Sequence, residues 1–333
     1  MTQGQRPGAA SVAGVATRAA VLRRIELDVL RRLDGSAAGD HLTTGIGPGS
    51  ERAGARAYEP GDDARLIDWN LTARSAETFV RTTEAEREVD TWIIVDRSAS
   101  MDFGTVGAEK RDVALGAAAA FGMLTVRGHN RLGVLIAGTE RSQPYPPRAG
   151  RGWLMAGLAA IHGTPRQTER AADDTDIAAA MRRLLVAKQR RSQIVVISDF
   201  LGTDDWAMPM RALAQRHQVV AVHVTDPREL ELPAVGMLAV VDTETGRQRY
   251  VQTRSPALIA RYAAAAAQRH ADISRAIVSG GAEHLHLSTS RDWLTDTLQF
   301  ATGRKGLRRN APLERFSSNN TAAAQPATSG TSR

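Results

Sequence analysis

Two hydrophobic periods alternate along the chain. Short β-branched or apolar runs bounded by polar turn residues occur at Thr91–Val95, Arg131–Ala137, Ser192–Phe200, Gln218–Thr225 and Glu283–Leu287, the pattern of strands buried on both faces of a parallel sheet. Between them the apolar spacing changes to three and four. It predicts helices over Ala108–Arg127, Trp153–Ile161, Thr175–Gln189, Trp206–Arg216, Ala257–Val278 and Ser290–Thr302, the last capped by Ser290. An amphipathic helix precedes them over Ala16–Leu33, with Val21, Leu22, Ile25, Val29, Leu30 and Leu33 on one stripe. Strand and helix in alternation imply an α/β architecture, a mostly parallel, Rossmann-like sheet with helices on both faces. Residues 36–57 read as a Gly-rich loop and Ser142–Arg151 as a Pro/Gly-rich crossover. Pro233–Val251 reads as a loop with a small hairpin around Thr245-Gly246. Residues 1–15 and 303–333 have the composition of disordered ends.

The strand ends carry the candidate chemistry. The first sheet strand stops at Asp96, and Ser98 and Ser100 follow at alternate positions, so one tight loop can turn three oxygen-bearing side chains toward a point. Ligands bind at the carboxyl ends of the strands in open α/β sheets, and hard oxygens in such a set suit Mg²⁺ or Mn²⁺. Taken alone, D-x-S-x-S also fits an ordinary turn that caps a helix. A second strand ending in Asp199, and Thr175 at the start of a helix between the two strands, strengthen the metal reading. Asp102, Asp173, Asp174 and Asp176 are nearby alternative ligands.

Asp96, Ser98, Ser100, Thr175 and Asp199 stand in the order of the metal-ion-dependent adhesion site of von Willebrand factor A (vWA) domains, which this chain resembles. Just upstream lie YEPGDDARLIDWNLTAR (Tyr58–Arg74) and FVRTTEAERE (Phe79–Glu88). This combination is similar to the DUF58 family, whose members join a Y-x-PGDD-x-R-x-IDW segment to a vWA-like domain, and the resemblance spans most of residues 18–302. It implies an N-terminal helix and family-specific segment over 16–88 and a vWA-like domain over 89–302. It also implies Mg²⁺ (or Mn²⁺) touched by Ser98, Ser100 and Thr175, with Asp96 and Asp199 orienting these ligands or acting through water. The partner it implies is a protein offering an acidic side chain to the metal, a MoxR-type AAA+ ATPase or its client. The function expected is that of a metal-dependent adaptor in protein assembly or maturation rather than an enzyme. A metal-dependent hydrolase using the same residues is the alternative. That alternative needs a general base, and of His129, His162 and His223, the histidines expected near the core, none has a spacing that ties it to the metal loops. In the upstream segment, Asp62, Asp63, Arg65, Asp68, Trp69, Arg74 and Arg81 form either a docking surface or an internal network of caps and ion pairs.

Charge and composition narrow the classes. The formal charge is +7, of which the stretch from Gly303 supplies +5, with six cations against Glu314. The basic residues have no interleaved aromatics, so no specific nucleic-acid partner is expected. No cysteine is present, which excludes disulfides, zinc–thiolate sites and thiol nucleophiles and fits a reducing compartment. The longest apolar run, Val113–Val126, is too short and too rich in Gly and Ala to span a bilayer, so a cytoplasmic protein is the expectation.

Overall fold

The computed structural model describes residues 20–33, 54–75, 77–82, 90–105, 108–138, 144–166, 177–187, 190–202, 204–241 and 248–310. Its centre is a six-stranded sheet of β3 (Thr91–Asp96), β4 (Leu132–Ala137), β5 (Tyr145–Arg148), β6 (Gln193–Ser198), β7 (Gln218–Thr225) and β10 (Glu283–Ser288), in the spatial order β10-β7-β6-β3-β4-β5. Five strands run parallel, and β5 alone pairs antiparallel, on the β4 edge. This is the doubly wound order, in which the chain leaves β3 toward β4 and later returns to the other side of β3 with β6.

Alternate residues of each strand enter two cores. Ile93 and Val95 of β3 face a layer that contains α1 (20–33), α3 (Lys110–Arg127), α4 (Arg151–Gly163) and α8 (Trp293–Asn310). Trp92 and Ile94 face α5 (Ile177–Val186), α6 (Ala207–Ala214) and α7 (Pro256–Ser279). The parallel α/β architecture read from the sequence is the one observed. The apolar run of α3 is buried under α4 and α8. Gly116 is required there, because a Cβ would lie 2.1 Å from the Trp293 ring. The N-terminal helix joins the same layer through Leu22, Val29 and Leu33. Glu26 binds Arg151 of α4 at 2.5 and 2.7 Å, and Arg32 binds Asp292 at 2.5 Å.

Four details depart from the sequence reading. Gly54–Ala57, within the expected loop, is β1, antiparallel to β2 (Phe79–Thr82). The sequence GARA has no apolar alternation, and only its partner strand makes it extended. Within the expected crossover, Tyr-Pro-Pro-Arg forms β5, and prolines are tolerated there because an edge strand leaves N–H positions unused. Asp292 rather than Ser290 caps α8, accepting from the Thr295 N–H at 3.3 Å, while the Ser290 hydroxyl lies 3.1 Å from that of Ser288. The same helix runs on to Asn310, beyond the expected start of the disordered end. The hairpin is present as β8 (Met237–Val241) and β9 (Gln248–Gln252), with its turn outside the described residues. The rest of the expected disordered ends, 1–15 and 311–333, also lies outside them. No helix among the described residues is long and apolar enough to cross a membrane.

Candidate functional site

Asp96 ends β3 at the switch point, beside the end of β6. Its Oδ1 accepts the Ser98 N–H at 2.8 Å, which turns the chain sharply into a 3-10 turn over Ala99–Asp102. Gly138, just past β4 at φ +87°, backs this turn, and a Cβ there would sit 2.7 Å from the backbone of Arg97 and Ser98. The second oxygen of Asp96 accepts the Ser198 hydroxyl at 2.6 Å, joining β3 to β6. The Ser98 and Ser100 hydroxyls lie 3.1 Å apart on half-buried residues. Asp199 follows β6, and Phe200 after it adopts φ +54°, a conformation uncommon for a bulky residue. Its ring is buried against Trp206 at 4.9 Å. Oδ1 of Asp199 accepts the Leu201 N–H at 3.1 Å, and the Ser100 hydroxyl also hydrogen-bonds this carboxylate.

The remaining oxygen of Asp199 holds a lysine. Lys110, the first residue of α3, is 0% exposed, and its ammonium donates to Asp199 Oδ2 at 2.7 Å and to Glu229 Oε1. Phe103 covers it, with the ring centroid 6.0 Å from Nζ. Burial pushes the Asp199 carboxyl up, but the ammonium and its hydrogen bond offset this and hold it below the ordinary carboxylate value. Asp96 is raised by burial and by the Asp199 charge, against the Ser198 and Ser98 donors. Burial opposes the Lys110 charge too, yet Asp199 and Glu229 keep its pKa above the usual lysine value.

Next to this pair, a second carboxylate ties loops together. Asp226 at the end of β7 is fully buried and accepts from Thr105 N (3.0 Å), Thr105 Oγ1 (2.7 Å), Arg228 N (2.9 Å) and Thr289 Oγ1 (2.7 Å). These donors come from the loops that follow β3, β7 and β10. A cleft of about 760 Å³ adjoins the same edge, lined by Thr105, Glu109, Arg111, His162 and Arg166 among others.

Four of the five residues matched to the vWA site, Asp96, Ser98, Ser100 and Asp199, are thus brought together. Thr175, with Asp173, Asp174 and Asp176, lies outside the described residues, and Asp102 is paired with Arg111 at 2.6 Å. The oxygens are of the type Mg²⁺ prefers, and an internal cation, Lys110, already neutralises Asp199 among them. Each of the four carboxylate oxygens already accepts from a protein donor, and a divalent ion drawn to Asp199 would meet an ammonium held there. Among the described residues, no group of three or more His, Asp or Glu side chains is placed to hold a metal ion.

The upstream segment resolves toward caps. Asp62 accepts from Glu59 N at 2.9 Å and Asp63 from Arg65 N at 3.0 Å. Asp68 caps α2 (Trp69–Thr72) through Asn70 N and Leu71 N. Trp69 is 69% exposed, and Arg65 and Arg74 are exposed, so a surface remains beside the caps; the Arg81 side chain lies outside the described set.

Sequence reasoning missed Lys110, Glu229 and Asp226, and it placed the histidines poorly. His129 is exposed and His162 half-buried, whereas His223 of β7 is 1% exposed and ringed by His270, His284 and His286 at centroid distances of 5.1–5.6 Å. Among the described residues, neither ring nitrogen of His223 has a hydrogen-bond partner. A usable signal existed: in EHLHLS the histidines alternate with Leu285 and Leu287, so they line the opposite face from these core leucines.

A family model described as protein of unknown function DUF58 matches residues 54–272. Uncharacterized proteins of Mycobacterium tuberculosis and Mycobacterium bovis are each 46% identical over 287 residues, covering 86% of this chain and 90% of theirs. Among solved structures, an aerotolerance-related membrane protein from Bacteroides fragilis aligns with 66% of this chain and 99% of its own at 16% identity, TM-score 0.43. The SpRpn10 VWA domain aligns with 64% and 95% at 16% identity, TM-score 0.38. On the extent of the family match and the identity of these relatives, the chain belongs to the DUF58 family.

Proposed function

We propose that this protein is a protein-interaction module that binds its partner at the carboxyl edge of the sheet. One observation carries the reading: the half-buried Ser98-Ala99-Ser100 turn stands on an edge whose loops are cross-tied by Asp226 and by the Lys110 pairs, next to an open cleft. Loops held in one geometry lose little entropy on binding, which favours recognition. The family resemblance supplies the first partner to try, a MoxR-type AAA+ ATPase.

The test is capture of such an ATPase on the intact chain. Ala99→Arg puts a long cation on the turn, and Val278→Arg does the same at the 62%-exposed end of α7, next to the start of β10 on the opposite edge. Capture reduced about tenfold or more by the first and unchanged by the second is the expected result. Equal loss with both, or with neither, refutes the edge as the contact surface.

A further inference from the structure

We propose that Lys110 is the resident cation of this edge, neutralising Asp199, one of the two carboxylates that the resemblance would assign to a divalent metal, so that partner binding needs no metal. Its ammonium has no exposed surface, and its donors go to Asp199 and Glu229, on the loops after β6 and β7. The lysine is anchored at its own backbone as well, where the Lys110 N–H donates to the Phe103 carbonyl at 2.9 Å in the first turn of α3. A metal exchanges with solvent, but a side chain does not.

The carboxylates are committed accordingly. Asp199 gives one oxygen to Lys110 and the other to Leu201 N. Asp96 gives one to Ser98 N and the other to Ser198. A divalent ion at this point would have to share Asp199 with a buried like charge that has nowhere to go, since Glu229 fixes its other side. Charge compensation is therefore built into the chain. The Ser98 and Ser100 hydroxyls are tied to the same carboxylates, so what they offer a partner is oxygen lone pairs that accept hydrogen bonds, in place of an electron-poor metal that seeks a carboxylate.

The inference deepens the interaction reading and is tested apart from it, by Mn²⁺ titration of the intact chain followed by electron paramagnetic resonance of the free ion. The expected result is no stoichiometric uptake up to about 1 mM Mn²⁺, whereas Lys110→Met gains affinity by about tenfold or more. Stoichiometric uptake by the wild-type chain overturns the proposal, as does a folded Lys110→Met that gains no affinity. Should that variant fail to fold, the wild-type titration decides alone. In the ATPase capture run without nucleotide, so that the ATPase holds no Mg²⁺–nucleotide of its own, indifference to chelator supports the proposal. Loss on chelation overturns it while leaving the contact surface intact, and absence of capture bears on the contact surface only.

Discussion

Asp226 has no exposed surface and four donors, so its removal strands hydroxyls and N–H groups from three loops at once. Burial alone would raise this carboxyl, but the Thr289, Thr105 and Arg228 donors hold it below its ordinary value. Asp226→Ala is expected to cost on the order of 3 kcal/mol, read as a fall in urea midpoint without change in slope, and Asp226→Asn less, since one acceptor survives. A change under about 0.5 kcal/mol would show that the loops are held by something else. At this scale the sequence revealed residues whose roles depend on close spacing. Asp96, Ser98 and Ser100 sit at a strand end, and Asp199 repeats the pattern. Lys110 was not legible because its partners lie 89 and 119 positions away, and in GAEKRDV it looks like the solvated start of a helix.

The strands and helices around the four histidines supply a prediction for whole elements. His223 on β7 faces His270 on α7 and His284 and His286 on β10. Burial first, and then these neighbours, push it down to about 3. The unfolded chain takes up this proton near 6.5, while the folded chain refuses it until about 3, so the stability present above 6.5 is lost progressively as pH falls toward 3. Between pH 7 and 5 this residue alone is expected to remove about 2 kcal/mol, and His223→Phe to flatten that part of the stability profile. Parallel profiles for the two proteins would contradict this origin. These elements were legible almost to the residue because buried parallel strands and long helices print their period on the sequence. The missed strands, β1, β2 and β5, are four residues each and owe their extension to neighbours rather than to a pattern.

For the molecule as a whole, two cores on either side of one sheet account for the architecture, and α1 adds its stripe to the first. Val29 there is fully buried. Val29→Asp, which would bury an unpaired charge, is expected to lower stability by about 3 kcal/mol or more in thermal or urea unfolding; near-neutrality would mean that α1 contributes nothing to this core. The periodicity of residues 16–33 announced an amphipathic helix, but not which surface it would cover. That surface is assembled from α4 and α8, more than a hundred positions further on.

The lysine at the head of α3 also orders events in time. On a chain emerging from the ribosome, α3 is complete while residues 199 and 229 are still to be made, so Lys110 waits as a hydrated ion. The proposed contact edge is set only after most of the sheet exists. A nascent or proteolysed chain that lacks β6 and β7 has no such edge, and a partner that recognises it recognises a finished molecule.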